Sequence, residues 1–282
     1  MPDRGAAGIE PLDLPFILDE ARRSPFAGSA LAIGGGALDN AEAAATFADF
    51  GLPAPASSSL PDILRAIGFA QSNVVSDPGV GLDGKQATGQ FDTVFDLGAS
   101  MRVFQVRRIL AALGQRVAVG GRIVHAVPSA NHMDQGFYMA SPRLFHDYYR
   151  ANKWRLESLM LVCRAHRGAF VEGISYTPGS LQDVAHGGLD DRRYRVFCVA
   201  TRLVESTTGL VPQHGMYVDA WKRGAVFASD QPTASNPVAD WMRRTRWAYR
   251  IVNRLTAARK KRQIRAACLT PVVRHPLRAE RD

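Results

Sequence analysis

Short apolar runs alternate along the chain with longer segments whose apolar residues recur every three or four positions. Residues 30–33, 91–96 and 122–127 are short runs followed by glycine or proline, a pattern typical of buried parallel strands. Further strand candidates are residues 73–76, 156–163 and 194–201. This alternation of strands and helices predicts an α/β fold with a largely parallel sheet.

The helix predictions rest on capping residues and on periodicity. Asp39 or Asn40 is suited to cap one helix, and Ser141 followed by Pro142 to start another. The predicted helices are 41–50, 61–68, 103–117 (ended by Gly120 and Gly121) and a helix that begins at residue 142.

The segments outside this pattern divide the chain. Residues 1–25 are a polar, proline-containing N-terminal extension, and residues 26–205 form the predicted α/β domain. Residues 164–193 look like a long loop or insertion, and residues 206–239 are irregular. Residues 240–267 predict a basic amphipathic helix, with a tail to residue 282.

The charge of the protein is concentrated in that last segment. The 282 residues carry a formal net charge of +9, but residues 240–282 hold 13 Lys/Arg against three Asp/Glu. The rest of the chain is nearly neutral and gives no reason to expect nucleic acid as a partner. We expect the basic helix either to lie on an anionic membrane surface or to pack its apolar stripe on the body of the protein, and non-specific nucleic-acid binding is a third interpretation.

Composition excludes several other classes of protein. An apolar fraction of 46% and a charged fraction of 22% are ordinary for a globular chain. Three scattered cysteines are too few for a disulfide framework or a zinc site. The N-terminus has no signal-peptide pattern, and the longest mainly apolar stretch, 13 residues, is too short to span a bilayer. We expect a cytoplasmic protein, with attachment to the inner face of the membrane left open.

Three loops are expected to meet at the carboxyl edge of the predicted sheet. Gly34, Gly35 and Gly36 follow the first strand, residues 96–98 end the next, and residues 129–134 follow the third. Ligands of doubly wound sheets bind at this edge, and glycines let the backbone approach them closely. The alternative for the three glycines is a tight turn without a ligand.

The third loop also carries candidate catalytic groups. His132 is suited to be a general base near neutral pH, oriented by Asp134 two residues later. The alternative is a solvated loop in which both side chains make local turn hydrogen bonds. The spacing of the histidines and carboxylates matches no metal-site pattern, so no metal is predicted.

These residues carry a family resemblance. The segment 91–98, the strand after Gly120 and Gly121, and the loop 128–142 with its N-H-x-D-x-G-F-Y motif resemble a bacterial group of class I S-adenosylmethionine-dependent methyltransferases. The match is good over residues 91–163 and looser over 26–90. The resemblance implies a Rossmann-like, seven-stranded sheet with an antiparallel strand inserted at the edge.

The resemblance also implies a cofactor and a reaction. S-adenosylmethionine would lie against Gly34, Gly35 and Gly36, with Asp96 and Gly98 near it and Asp77 as a substitute ribose ligand. The reaction would be methyl transfer to a small-molecule acceptor or a glycan or lipid precursor, with His132 as the base.

The chain departs from the family pattern at places that bind the cofactor. Acidic residues usual in the family are replaced at Ala32, Val74 and in the pair Met101 and Arg102. Because of these departures, a methyltransferase-like binding or scaffold protein without catalytic activity is the alternative to the enzyme.

Overall fold

The computed structural model describes residues 9–34, 38–75, 88–165, 170–181, 189–222 and 268–276. The chain divides into two compact units, and the larger contains residues 1–177, 191–212 and 271–282. In the smaller unit, the described residues include one helix, α6 (Gly215–Lys222). The predicted domain boundaries at 26, 205 and 240 stay predictions.

The larger unit contains one eight-stranded sheet with the strand order β2-β1-β3-β4-β7-β5-β6-β8. Its strands are β1 (Ser29–Ile33), β2 (Gln71–Val75), β3 (Phe91–Asp96), β4 (Val117–Pro128), β5 (Arg155–Arg164), β6 (Phe170–Ser175), β7 (Tyr194–Thr201) and β8 (Val273–Pro276). All five strands predicted from 30–33, 91–96, 122–127, 156–163 and 194–201 are therefore present, and residues 73–76 fall largely on β2.

The strand directions confirm the predicted fold class. β2, β1, β3 and β4 are mutually parallel, and β7 is antiparallel to both β4 and β5, so that β5 runs in the direction of β4. β6 and β8 then add two antiparallel pairings outside β5. The family resemblance implied seven strands, whereas the described residues form eight, of which β6 and β8 lie outside β5.

Among its described residues, the larger unit has five α-helices: α1 (Leu14–Arg23), α2 (Asn40–Asp49), α3 (Leu60–Ala66), α4 (Val106–Arg116) and α5 (Pro142–Ala151). One hydrophobic cluster joins α1, α2 and α3 to alternate strand residues such as Ala30, Ala32 and Val124. The strand residues between these point to the opposite face of the sheet, where His125 of β4 contacts Phe145 of α5. Because side chains alternate across a strand, the sheet is covered by helices on both faces, as a doubly wound fold requires.

Side-chain caps explain where two of the predicted helices begin. The Asp39 carboxylate accepts hydrogen bonds from the backbone N–H of Ala41 and Glu42. The Ser141 hydroxyl accepts one from Arg143 N, with Pro142 at the first helical position. Each cap satisfies N–H groups that have no partner inside the helix.

Three sequence predictions need correction. The helix expected over 103–117 is α4 and ends at Arg116, while Gly120 and Gly121 lie within β4, where its register with β3 shifts. The long loop expected over 164–193 contains β6. The extension 1–25 contains α1, in which Leu14, Phe16, Ile17 and Leu18 are buried.

The two remaining predictions concern the basic helix and the crossing of a membrane. The basic helix over residues 240–267 lies outside the described residues. Among the residues that are described, no helix combines the length and apolar character that crossing a bilayer requires.

Candidate active site

The carboxyl ends of the three central parallel strands lie side by side. Ile33 of β1 is in register with Val75 of β2 and with Asp96 of β3, and Asp96 is in register with His125 of β4. The loops that follow these strands therefore leave the sheet at the same edge, as the sequence predicted.

The first loop begins with a glycine in the left-handed region. Gly34 has φ 126°, a value that a residue with a Cβ rarely adopts, and its N–H donates to Val75 O at 2.7 Å. Gly35 and Gly36 lie outside the described residues, as does Asp77. Their predicted contacts with a cofactor remain predictions.

The second loop is held close to the third by another glycine. Gly98 has φ 93°, and a Cβ on it would lie 3.3 Å from Pro128 Cδ and 3.8 Å from the Arg195 guanidinium. The backbone after β3 thus approaches the end of β4 at a distance that a larger residue would disturb.

Asp96 has a different environment from the one that a ligand-facing carboxylate needs. It is fully buried, and its oxygens accept hydrogen bonds from the Ser100 backbone N–H, the Ser100 hydroxyl and His125 Nδ1 (2.8 Å). The Tyr149 hydroxyl donates to His125 Nε2 at 2.5 Å. Asp96, His125 and Tyr149 form a buried chain in which every ring nitrogen of His125 has a partner.

Several backbone hydrogen bonds anchor the third loop at its base. Ala140 N donates to Pro128 O at 2.8 Å, and Tyr194 N donates to Ala130 O at 3.0 Å. The Ser129 hydroxyl donates to Ala140 O at 2.7 Å. The loop is therefore held in place at both ends, so that a side chain on it can be positioned accurately.

His132 is buried within this loop, with 4% of its surface exposed. Its Nδ1 lies 2.7 Å from Gln135 Oε1, whereas its Nε2 is buried without a hydrogen-bond partner among the described residues. Since an amide oxygen only accepts hydrogen bonds, Nδ1 carries the proton and Nε2 presents a lone pair. This tautomer is the one that a general base requires.

The pKa of His132 also suits a base. Burial lowers its pKa below the ordinary 6.5, against the opposing effect of the hydrogen bond to Gln135, and the positive charge of Arg195 lowers it further. The imidazole is therefore neutral at pH 7 and able to accept a proton.

The predicted partner of His132 needs correction. Asp134 is exposed, with φ 62°, and the group that orients His132 is Gln135, whose Oε1 accepts the hydrogen bond from Nδ1. An acidic residue two positions after a histidine suggested a pair, but the left-handed turns at Asn131 and Asp134 bring the third residue back to the ring. Sequence reasoning missed Gln135 for this reason.

A buried arginine completes the carboxyl edge of the sheet. Arg195, at the start of β7, donates to Asp13 Oδ1 (2.9 Å), Glu10 Oε1 (3.1 Å) and Ala126 O (2.7 Å). Burial raises the pKa of Asp13 to about 6, although the charge of Arg195 opposes this. Arg195 therefore holds the residues before α1 against this edge, beside Gly98, a role that no sequence motif indicated.

The two clefts described in the larger unit lie elsewhere. One, of about 740 Å³, is lined by α1, β5 and β7, and the other, of about 670 Å³, is lined by residues such as Gly28, Asp92 and Gly121. None of the predicted site residues lines either cleft. Within the described ranges, no group of three or more His, Cys, Asp or Glu side chains is placed to hold a metal ion.

Comparison with known proteins gives remote structural likenesses only. No family model and no curated protein matches the chain. The YcgJ protein of Bacillus subtilis is 11% identical, with 68% of this chain and 98% of that chain covered and a TM-score of 0.37.

Two similar structures are of enzymes. Phosphoethanolamine N-methyltransferase 2 of Haemonchus contortus is 11% identical, with 68% of this chain and 53% of that chain covered and a TM-score of 0.36. CalS10, an amino pentose methyltransferase of Micromonospora echinaspora, is 16% identical, with 68% of this chain and 92% of that chain covered and a TM-score of 0.25. This chain thus spans about half the length of the Haemonchus enzyme. At these identities the likeness concerns the fold alone.

Proposed function

We propose that this protein is an S-adenosylmethionine-dependent methyltransferase whose active site lies at the carboxyl edge of the sheet. The observation that carries the proposal is the buried His132, whose Nε2 has no partner among the described residues. Burying a polar atom without a hydrogen bond costs roughly 1–3 kcal/mol. A ligand proton that reaches Nε2 would remove this cost.

The residues at this edge fit the cofactor in part. Gly34 has a positive φ value and no side chain, so that a ligand could approach its backbone closely, whereas at Gly98 the place of a side chain faces Pro128 and Arg195. Asp96 does not fit as a cofactor ligand, because Ser100 and His125 already engage its oxygens. We assign the contacts to Gly34, Gly35, Gly36 and Gly98, with Asp77 toward the ribose, and give Asp96 a supporting role.

The chain's own residues would act on the acceptor. When bound, S-adenosylmethionine supplies a sulfonium methyl group that is transferred to a nucleophile. His132 Nε2 would take the proton that the acceptor loses as its bond to the methyl carbon forms, and Gln135 would hold the ring in the correct tautomer. Positioning by the anchored loop would supply much of the remaining rate enhancement.

For the methyl acceptor we propose a chemical class. A small molecule or a glycan or lipid precursor with an ionisable O–H or N–H would suit a neutral imidazole base. Asp134 is exposed in the same loop and is available to contact such an acceptor, although it does not orient His132.

A second candidate function is a methyltransferase-like binding or scaffold protein. The burial of Asp96, together with the replacements at Ala32 and Val74, favours it, because each removes a carboxylate from the expected cofactor contacts. A scaffold protein of this kind would keep the fold and the loop that carries His132 but would not bind the cofactor.

Calorimetric titration with S-adenosylhomocysteine separates the two functions. The methyltransferase should bind it saturably at one site per chain, and Asp77→Asn should weaken binding on the order of tenfold by removing a charge-assisted hydrogen bond. Glu205→Gln is the control, because Glu205 is exposed after β7 at the opposite end of the sheet, and it should leave affinity unchanged. No saturable heat with the wild-type protein would contradict the proposed activity and favour the scaffold.

A further inference from the structure

Five large apolar side chains are exposed around the loop that carries His132. They are Phe104 (70% exposed), Met133 (76%), Phe137 (67%), Tyr138 and Met139. We call them the aromatic edge. Isolated exposed apolar residues are ordinary, but a contiguous group of this size usually marks an interaction surface.

The aromatic edge is fixed in place. The rings of Phe104 and Phe137 meet edge to face with centroids 5.7 Å apart, and Phe104 and Tyr138 lie 6.4 Å apart. The Tyr138 hydroxyl donates to Phe104 O at 2.7 Å, and Phe137 N donates to Met101 O at 2.9 Å. Two segments whose bonded residues, Phe104 and Tyr138, are 34 positions apart are thus joined into one surface whose rings remain outside the core.

A glycine allows this close approach of the two segments. A Cβ on Gly136 would lie 2.8 Å from Met101 O, closer than side-chain carbons normally come to a carbonyl oxygen. A larger residue at this position would push the loop from the segment that holds Phe104.

The charged side chains in these two segments are mainly positive. Residues 99–108 contain Arg102, Arg107 and Arg108, all exposed, and residues 131–139 contain only Asp134 as an acidic group. Exposed aromatic and methionine side chains beside arginines combine apolar insertion with attraction to negative charge.

We propose that the aromatic edge docks on the surface of an anionic lipid bilayer. Phe104, Phe137 and Met133 would enter the headgroup region, Tyr138 would lie at the level of the headgroups, and Arg107 and Arg108 would contact anionic lipids. This surface goes beyond the proposed activity, and its residues belong to other segments of the sequence than 240–267, for which a membrane surface is one of three interpretations. Neither of the two clefts described above includes it.

Vesicle flotation of the full chain tests the proposal. The vesicles are phosphatidylcholine alone or phosphatidylcholine with phosphatidylglycerol. Phe104→Ser/Phe137→Ser should lower partitioning onto anionic vesicles at least roughly tenfold, because two aromatic side chains no longer leave water. Arg107→Gln/Arg108→Gln should lower it on the order of tenfold, with a smaller effect on neutral vesicles.

Phe170→Ser is the matched control, because Phe170 is 45% exposed on β6 and belongs to neither segment. It should partition like the wild-type chain, and thermal unfolding should show that all variants fold. Wild-type protein that does not float with anionic vesicles would overturn the proposal. So would flotation that survives the aromatic double variant, because the contact would then lie elsewhere, as in the basic segment. Neither outcome depends on cofactor binding.

Discussion

Two buried histidines lie seven residues apart at the end of β4, in very different surroundings. His125, within the strand, has Asp96 at one ring nitrogen and Tyr149 at the other. His132, in the loop that follows, has Gln135 at one nitrogen and no partner at the other among the described residues.

The difference distinguishes a histidine that is buried to stabilise the fold from one that is buried at a functional site. A fully satisfied polar chain such as Asp96–His125–Tyr149 stabilises a single arrangement of sheet and helix, and its members are not available to a ligand. An unsatisfied buried nitrogen destabilises the folded protein, because no hydrogen bond offsets its loss of water. Such a group is typical of a binding or catalytic site. The two histidines should therefore respond oppositely to substitution.

The largest expected effect is on activity at His132. His132→Ala should lower methyl transfer by roughly 10²–10⁴-fold, because the proton acceptor is lost. The measurement is release of S-adenosylhomocysteine with glycan, lipid or small-molecule extracts as acceptor. Its control is His146→Ala, whose imidazole pairs with Asp147 outside this site. Unchanged turnover in His132→Ala would exclude His132 from the mechanism.

The next effect is on stability at the satisfied chain. Asp96→Ala should lower the free energy of unfolding by about 2–4 kcal/mol, since it leaves His125 and Ser100 without an acceptor in the core. Urea denaturation measures this change. Asp134→Asn, at an exposed left-handed position that asparagine tolerates, should change it by less than about 0.5 kcal/mol. Equal losses in both variants would contradict the structural role of the chain.

A smaller effect is expected on the tautomer of His132. Gln135→Leu removes the acceptor at Nδ1, so the ring should populate both neutral tautomers and its pKa should fall further. Imidazole nitrogen shifts in the NMR spectrum report the tautomer, and His125 in the same spectrum serves as the internal control. An unchanged His132 spectrum would mean that Gln135 does not position the ring.

The smallest effect is on the pH dependence of stability. Because the pKa of His132 is lowered in the folded state, the unfolded chain binds its proton first as the pH falls below about 6.5. The stability that the neutral ring contributes is complete above this pH and is lost as the pH falls toward the folded pKa. Unfolding free energies should therefore decline more steeply below pH 6.5 for the wild-type chain than for His132→Gln. Parallel declines would contradict the lowered pKa.

Local patterns predicted much of the fold. β3 and β7 have the bounds that the apolar runs indicated, and Asp39 and Ser141 cap helices as their side chains allow. β6 was missed because its six residues include a glycine and one of its two pairing partners, β8, lies far along the chain.

The site was predictable only in outline. Parallel strand order places the loops at one edge, so His132 was found from its position after β4. The partners could not be found in this way. Arg195 pairs with Asp13 across 182 positions, and Gln135 reaches His132 only through left-handed turns that the residue types do not fix.

The most direct test follows both histidines while S-adenosylhomocysteine is added. The imidazole resonances of His125 and His132 can be assigned with His125→Gln and His132→Gln variants. If the carboxyl edge binds the cofactor, the His132 resonances should shift saturably and those of His125 should stay nearly constant. Resonances of His132 that do not move at saturating ligand, or that move no more than those of His125, would contradict a cofactor site beside this loop.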